Sequence, residues 1–354
     1  MNVPPTCRAL YDEIVAAPTR QRERIVRAVA ELAAQTSLAW ALRALFRQQV
    51  RSGYVLFDPA AAHEERVFTD PELGVSLRLQ WNPHRRLRKQ HALLLARGVL
   101  AADVDPARLI NRNAKGQACY LCEANIALQN PGEIAWPLQL AGETYVFGAN
   151  FVPITANHFT VMSREHRVQR YHRGLLKAGV ELLERSGGEF RVLFNGRAGA
   201  SIEEHEHLHA TDETFPVESL DLASAPPLWQ GNGVQLLAPA YYVPLYVIEG
   251  DEPGVVVDAA DRLLLGWREQ DPLRHTENLL LTRVGGRYRV FVFPRDRARL
   301  GGPGRSDALG SFEMSGRLVL ADEADRALFE QADLATLRAL LSAATPERAP
   351  RPLG

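Results

Sequence analysis

The chain has 354 residues and a mass of 39.3 kDa, which is enough for two core-forming units or one large one. Hydrophobic residues make up 46% of the sequence and charged residues 23%, and these values exclude a disordered chain. The formal net charge is −1, so the overall charge does not indicate a nucleic-acid-binding protein.

The first half of the chain reads as helices followed by strands. Apolar residues recur at helical spacing over residues 7–51, and Asn82-Pro83 ends a predicted strand. A longer helix is predicted over 167–185, where Gly187-Gly188 ends it, and a polar loop over 195–204. Strands are predicted at 53–57, 75–81, 134–140, 144–146, 158–162, 190–194 and 205–211.

After Pro226-Pro227 a strand–helix–strand pattern begins again, without a clear sequence repeat. A hairpin across Gly285-Gly286 joins two of the predicted strands. Strands are predicted at 234–237, 241–247, 278–284 and 287–293, and helices at 253–267 and 332–343.

Helices and strands mix without the regular alternation of parallel βαβ units, so the fold class is α+β. The recurrence of the pattern predicts two similar halves. We divide the chain into an N-terminal helical segment, a first half, a second half and a frayed Pro- and Arg-rich tail, with bounds 1–75, 76–225, 226–344 and 345–354.

Three cysteines do not make a disulfide framework, so a reducing compartment is expected. The N-terminus shows no basic region followed by an apolar stretch, so no signal peptide is predicted. The most apolar stretch, 234–248, is too short to span a bilayer and is interrupted by Pro239 and Pro244. The sequence therefore predicts a cytoplasmic protein without a membrane partner.

The densest chemical signal is the run His205-Glu206-His207-Leu208-His209. Because side chains alternate between the faces of a strand, the three histidines are expected on one face. The alternative, a chance polar strand, explains this spacing less well.

A polar, glycine-bearing loop, Asn195-Gly196-Arg197-Ala198-Gly199-Ala200-Ser201, precedes the histidines. Glycines let backbone amides approach an anion closely, and Ser201 can donate a further hydrogen bond. Alone such a loop is more often a plain turn. Ahead of three histidines it indicates a phosphate-binding loop.

The pair Cys119-Tyr120-Leu121-Cys122 has the spacing of a zinc half-site, which needs two further ligands. His158, His166 and His205 are the available histidines. A redox disulfide and a pair of ordinary buried cysteines are the alternatives.

Together these features resemble the histidine-triad superfamily, and within it the branch of galactose-1-phosphate uridylyltransferase and the GDP-hexose and diadenosine tetraphosphate phosphorylases. The resemblance lies in the Cys pair, in Gly199-Ala200-Ser201 followed by His-x-His, in the strand 157–166 with a histidine near each end, and in Asn82-Pro83-His84-Arg85. Looser similarity continues through Asn278-Leu279-Leu280-Leu281 and Phe293-Pro294-Arg295. It implies a histidine-triad-like antiparallel sheet with flanking helices.

The resemblance also implies roles for individual residues. His207 matches the nucleophile, with His209 and Ser201 assisting at the phosphate. His166 matches the zinc ligand at the end of its strand, so zinc would bind Cys119, Cys122, His166 and His205, as a structural ion because no coordination position stays open. Substrate contacts would come from Asn82, Arg85, Asn195, Gly196, Gly199 and Arg295, although surface arginines are the plainer reading of Arg85 and Arg295.

Two positions depart from the family pattern. His209 stands where the transferases commonly carry Gln, and a third histidine is common in the hydrolase branch. Glu206 stands where the uridylyltransferases carry Pro, which argues against UDP-galactose as the substrate.

The sequence thus predicts an enzyme, a nucleotidyltransferase or phosphorylase acting on a nucleoside-diphosphate sugar or related nucleotide through a covalent His–NMP intermediate. Phosphate or a sugar phosphate would be the acceptor. The first alternative is a histidine-triad nucleotide hydrolase; the second is a non-catalytic, zinc-stabilised nucleotide-binding protein. The oligomeric state stays open, with a homodimer among the options.

Overall fold

A computed structural model describes residues 4–58, 63–112, 116–300 and 308–350. Within these residues there are ten helices of the α type, numbered in chain order: α1 Arg8–Ala16, α2 Arg22–Gln35, α3 Leu38–Arg51, α4 His91–Ala96, α5 Glu123–Gln129, α6 Arg173–Arg185, α7 Pro253–Gln270, α8 Ser311–Met314, α9 Arg326–Gln331 and α10 Leu334–Ser342. Among the described residues, no helix combines the length and the apolar character needed to cross a bilayer.

A ten-stranded sheet, antiparallel at every pairing, organises the molecule. Across the sheet the order is β3-β4-β5-β7-β6-β11-β12-β10-β9-β8. The strands are β3 Trp136–Leu140, β4 Glu143–Ala149, β5 Phe159–Ser163, β6 Arg191–Asn195, β7 His207–Thr211, β8 Pro227–Gly231, β9 Val234–Leu237, β10 Tyr246–Gly250, β11 His275–Val284 and β12 Arg287–Asp296.

The two halves of this sheet share one topology. Counted from its outer edge, each half places its first, second, third, fifth and fourth strands in that order. In each half one long helix, α6 or α7, connects the third strand to the fourth. The halves meet where β6 pairs with β11, with Asn195 opposite Asn278. The predicted α+β class with two similar halves is confirmed; the bounds of the predicted segments stay a proposal.

Alternation along the strands separates two cores, one on each face of the sheet. On β11, Leu279 and Leu281 pack with α6, α7 and the three N-terminal helices, whereas Leu280 packs on the opposite face. That opposite face is covered by the C-terminal helices and by a three-stranded sheet in which β2 lies between the other two strands. Its strands are β1 Glu64–Asp70, β2 Val75–Trp81 and β13 Arg317–Leu320.

The structure differs locally from several predicted elements. Residues 53–57 form turns rather than a strand, and the helix predicted from residue 167 begins at Arg173. The strand predicted from residue 205 begins at His207. In the predicted tail, the Tyr246 hydroxyl donates to the carbonyl of Pro350 at 3.4 Å, and residues 351–354 lie outside the described residues.

Candidate active site and metal centre

The predicted histidines lie in the middle of the first half. On β7, His207 is opposite Met162 of β5, and His209 lies between Thr160 of β5 and Leu193 of β6. Leu208 and Ala210 pack in the core on the helical face. Because strand side chains alternate, His207 and His209 therefore point to the face covered by the three-stranded sheet.

Glu206 points the other way, toward α6. Its side chain is fully buried, and its carboxylate accepts hydrogen bonds from Arg167 at 2.9 and 3.0 Å and from His172 Nε2 at 2.7 Å. Its backbone amide donates to the carbonyl of Arg167, and its carbonyl accepts from the amide of Ser163. The glutamate that departs from the uridylyltransferase pattern thus holds this segment to the connection between β5 and α6 through its side chain, and to the end of β5 through its backbone carbonyl.

His207 is 4% exposed, and its hydrogen bonding determines which ring nitrogen carries the proton. Its Nδ1 lies 2.8 Å from the carbonyl oxygen of His205, which can only accept a hydrogen bond, so Nδ1 carries the proton. Nε2 therefore keeps its lone pair. Burial lowers the pKa of this imidazole, which favours the neutral form that can act as a nucleophile.

Gln169 holds the backbone at His207, and sequence reasoning missed it. Its side-chain oxygen accepts from the amide of His207 at 2.7 Å, and its Nε2 donates to the carbonyls of His207 and Asn195 at 2.9 and 2.6 Å. One buried carboxamide therefore joins the histidine strand to the start of the predicted phosphate loop. No local pattern marks a glutamine for this role.

His158 and His209 form a buried imidazole pair. The backbone amide of Ile154 donates to Nδ1 of His158 at 3.2 Å, so the proton of His158 is on Nε2. That Nε2 lies 3.1 Å from Nδ1 of His209 and donates to it. His209 must then carry its own proton on Nε2. The pair therefore presents an N–H donor, and no free lone pair, next to His207.

Both imidazoles of this pair are kept neutral. Burial, followed by the charge of Arg85, lowers the pKa of His158 to about 3. The pKa of His209 lies well below its usual value, mainly because of burial and then because of His158, His207, Arg85 and Arg88. The hydrogen bond to His209 places His158 beside the predicted catalytic histidines and not at the cysteines.

The loop 195–201 lies beside these histidines and is held closely to the chain around Gly310. Gly199 adopts a φ of +94°, and a Cβ there would come within 2.6 Å of the Cα of Gly310. Ser201 lies on the exposed side of the loop, where Arg88 Nη1 donates to its hydroxyl at 3.4 Å. Arg88 was missed by sequence reasoning, although it lies three residues after the predicted Arg85.

Arg85 and Arg88 both belong to the 3₁₀ segment Pro83–Lys89, which follows β2 directly. Arg85 Nη1 donates to the carbonyl of Val152 at 2.9 Å. Both guanidinium groups act electrostatically on His209, so this segment brings positive charge to the histidine face. The role of Asn82 and Arg85 in binding substrate stays a prediction.

Three predicted substrate residues are enclosed by protein. Asn82 is fully buried and donates to the carbonyl of Pro153 at 3.1 Å. The amide of Gly196 donates to the carbonyl of Glu277 at 2.8 Å. Arg295 is also fully buried and bonds to Asn278 and to the carbonyl of Leu309. Arg295 therefore lies beneath the loop, not at its open side.

The predicted metal ligands Cys119, Cys122, His166 and His205 converge, with one ligand atom from each lying within 4.8 Å of the others. Nδ1 of His205 lies 3.2 Å from the sulfur of Cys119, 3.6 Å from that of Cys122 and 3.3 Å from Nδ1 of His166. Cys122 and His166 are 3.3 Å apart. Tetrahedral zinc with two sulfur and two nitrogen ligands has ligand–ligand distances of about 3.3–3.8 Å, so the donor set fits zinc.

The surroundings of this cluster orient its ligands. His205 Nε2 lies 2.7 Å from the carbonyl of Ser163 and donates to it, which leaves Nδ1 free to bind a metal. Asn111 Nδ2 donates to the sulfur of Cys122 at 3.3 Å. The convergence of two imidazoles on both sulfurs favours a metal site over a redox disulfide or ordinary buried thiols.

Part of the chain that contains this site matches a known protein family. Residues 72–212 match a family model described as a domain of unknown function (DUF4922), and this stretch contains all four proposed metal ligands and the histidine run. No curated protein matches the chain.

Solved structures of the yeast Ap4A phosphorylase Apa2 resemble most of the chain. The complex with AMP has a TM-score of 0.52 at 16% identity, over 85% of this chain and 97% of that one. The complex with Ap4A has a TM-score of 0.51 at 16% identity, over 80% and 89% of the two chains. The chain therefore shares the fold of this phosphorylase, as the resemblance noted in the sequence implied.

Proposed function

We propose that the protein is a nucleotidyltransferase of the phosphorylase type, which acts through a covalent nucleotide adduct on His207. The observation that supports this most strongly is the hydrogen bond from His207 Nδ1 to the carbonyl of His205, because it leaves an oriented lone pair on Nε2. A purely nucleotide-binding protein has no need of a buried imidazole prepared in this way. The shared fold with a nucleotide phosphorylase agrees with the proposal.

The reaction takes place in two displacements. In the first, Nε2 of His207 attacks the α-phosphorus of the nucleotide, a nitrogen–phosphorus bond forms, and the bond to the bridging oxygen of the leaving phosphate breaks. In the second, an oxygen of inorganic phosphate or of a sugar phosphate attacks the same phosphorus and the nitrogen–phosphorus bond breaks. Neutral imidazole is regenerated, and the substrate is a nucleoside-diphosphate sugar or a related nucleotide such as a dinucleoside polyphosphate.

The neighbouring donors stabilise the charge that develops on the phosphoryl oxygens. His209 offers its Nε2–H, and Ser201 its hydroxyl. Arg88, which already contacts Ser201, adds positive charge on the same side, and Arg85 does so near His209. The loop amides complete a binding site whose chemistry is that of a phosphate.

The imidazole pair favours transfer over hydrolysis. A hydrolase would gain from a base that takes a proton from water. His209 cannot do so directly, because His158 occupies its Nδ1 lone pair and its Nε2 bears a proton. The donor that results is the same kind of group that the glutamine of the transferases would supply. The hydrolase alternative rests on the presence of this third histidine, and the hydrogen bond from His158 supports a donor's role for it instead.

Zinc, bound by Cys119, Cys122, His166 and His205, would stabilise the fold next to the active site. With four protein ligands it supplies no open coordination position for water or substrate, so its contribution is structural. The protein's own contribution to the chemistry is made by His207 and the phosphate donors.

The test is a screen of nucleoside-diphosphate sugars and dinucleoside polyphosphates, each with and without inorganic phosphate, with products identified by mass. A phosphorylase yields a nucleoside diphosphate only when phosphate is added, and a transferase yields exchange only with a sugar phosphate. A nucleoside monophosphate as the main product, regardless of acceptor, would instead establish the hydrolase. Binding without any turnover would support the non-catalytic alternative.

A further inference from the structure

We infer that Asn278 and Arg295, from the half of the sheet that carries no catalytic histidine, are positioning residues that set the orientation of Asn195 at the start of the phosphate loop. This inference rests on the proposed function, because it assigns Asn195 to the phosphate site. It assigns to the second half a role in catalysis that the absence of a histidine run from its described strands conceals.

The carboxamide of Asn195 is held from one side. Its Oδ1 accepts a hydrogen bond from Asn278 Nδ2 at 3.0 Å and another from the backbone amide of Ser311 at 2.6 Å. An amide oxygen offers two acceptor positions, so both are filled. The orientation of the side chain is thereby fixed. Asn195 Nδ2 forms no hydrogen bond with any other described residue. This NH₂ group is the part of Asn195 left for a substrate oxygen.

Asn278 has its own orientation set by Arg295. The Arg295 guanidinium donates to Oδ1 of Asn278, so the Nδ2 of Asn278 must face the loop. That nitrogen donates both to Asn195 and to the carbonyl of Ala198 at 2.9 Å. The order of donors and acceptors leaves no freedom to exchange the oxygen and nitrogen of either carboxamide.

The segment around Gly310 is the third part of this arrangement. Arg295 Nη1 also donates to the carbonyl of Leu309 at 2.6 Å. A Cβ at Gly199 would come within 2.7 Å of that same carbonyl oxygen, so the loop lies directly on this segment. Arg295 therefore acts on both supports of the loop, through Asn278 and through Leu309.

Burying a guanidinium costs free energy that a well-packed apolar side chain would avoid. Arg295 is fully enclosed, and burial lowers its pKa to about 10. Stability therefore does not explain why a cation is buried at this position. The contacts indicate a positioning role, because its bonds to Asn278 and to the carbonyl of Leu309 each fix a group that touches the phosphate loop.

The test uses variants that change the loop and leave the fold. Asn278→Asp keeps an oxygen for Arg295 but removes both donors to the loop. Ser311→Pro removes the second donor to Asn195 and puts a ring carbon in the path of that hydrogen bond, so it displaces the carboxamide. It does so at the first position of α8, where proline is tolerated and where Gly310 is already extended with φ −103° and ψ −169°. Thr282→Val is the matched control on β11, because its buried hydroxyl has no hydrogen-bond partner among the described residues.

The readout is formation of the covalent nucleotide adduct on His207, followed with an α-labelled nucleotide and no acceptor. We expect Asn278→Asp to slow this labelling at saturating nucleotide by at least about tenfold. It should also weaken AMP affinity by about tenfold, as for loss of a hydrogen bond to a charged group. Ser311→Pro should move both in the same direction, and Thr282→Val should move neither. Zinc content should stay near wild type for folded variants. The melting temperature of Asn278→Asp should fall because two buried hydrogen bonds are lost, but the slower adduct formation should persist well below that temperature, which a merely structural role would not predict.

Labelling rates and AMP affinities within twofold of wild type in both loop variants would overturn the inference. If Asn278→Asp does not fold, Ser311→Pro decides alone. If the wild-type protein forms no adduct with any nucleotide in the screen, the proposed chemistry has failed, and AMP affinity, measured by calorimetry, still decides whether these residues position Asn195.

Discussion

The two ends of the short segment from His205 to His207 use the same side chain in opposite ways. At the proposed metal end, His205 donates from Nε2 to the carbonyl of Ser163 and keeps Nδ1 for the cluster. At the proposed catalytic end, His207 donates from Nδ1 to the carbonyl of His205 and keeps Nε2. The role of each imidazole is therefore set by the nitrogen that a backbone carbonyl occupies. The residue type alone does not distinguish them.

The largest expected effect is on turnover, and it distinguishes His207 from His205. His207→Ala should lower turnover by about a thousandfold or more, because no other group in the site has an unprotonated nitrogen directed at the phosphorus. Zinc content and melting temperature should stay close to those of wild type. Steady-state rates, metal analysis and thermal unfolding measure these three quantities.

Covalent labelling makes the same test independent of rates. With an α-labelled nucleotide and no acceptor, wild-type protein should retain label on His207 as an acid-labile, base-stable adduct. The two displacements should give ping-pong kinetics and net retention at phosphorus. Label on His209, or near-normal turnover in His207→Ala, would show that the nucleophile has been assigned to the wrong histidine.

The second prediction concerns the metal end. Protein purified without added metal should contain about one zinc per chain, and His205→Ala or His166→Ala should lose it together with several kcal/mol of the free energy of unfolding. His158→Ala is the control, because His158 bonds to His209 and not to the cysteines. Atomic emission and denaturant unfolding give both readouts. A metal-free but fully folded wild type, or zinc kept by His166→Ala and lost by His158→Ala, would contradict the assignment.

The third prediction follows from the neutral imidazole pair. His158, with a pKa of about 3 in the folded protein, takes up no proton between pH 6.5 and 4, whereas the unfolded chain does. Its contribution to stability is therefore complete above about pH 6.5 and is lost as the pH falls, by about 2 kcal/mol at pH 5. The charged or titratable groups acting on the pair are His207, Arg85 and Arg88, and none of them is a carboxylate that would offset this effect.

Denaturant unfolding of wild type and His158→Gln between pH 8 and 4.5 measures this contribution. The variant should be less stable than wild type at pH 8 and should lose less stability on acidification. Parallel curves for the two proteins would mean that His158 takes up its proton in the folded protein over the same pH range as in the unfolded chain.

Much of the site could be predicted because its signals are local. The spacing of Cys119 and Cys122 and the alternation from His205 to His209 each fix a geometry within a few residues. The helix α7 and the hairpin at Gly285-Gly286 were predicted for the same reason, since apolar periodicity and turn chemistry act at short range.

Other features could not be predicted because they depend on contacts between distant segments. Gln169 was hidden within a predicted helix, yet it bonds to residues 26 and 38 positions away. Arg295 looked like a substrate-binding arginine until its partners, Asn278 and Leu309, showed it to be enclosed. The continuous sheet across the halves depends on the pairing of β6 with β11, for which neither strand carries a signal of its own.

The smallest expected effect tests whether His209 serves as a donor. His209→Gln places a donor amide at the same position and should keep transfer to phosphate within about tenfold of wild type, because the lost contact is one hydrogen bond to a charged phosphoryl group that the glutamine can restore in part. His209→Ala removes the donor and should be slower than His209→Gln at the same phosphate concentration. If His209 instead activates water, His209→Gln should abolish release of nucleoside monophosphate, and phosphate should not restore the rate. The ratio of the two products in these variants therefore determines whether the third histidine replaces a transferase glutamine or acts as a hydrolase base.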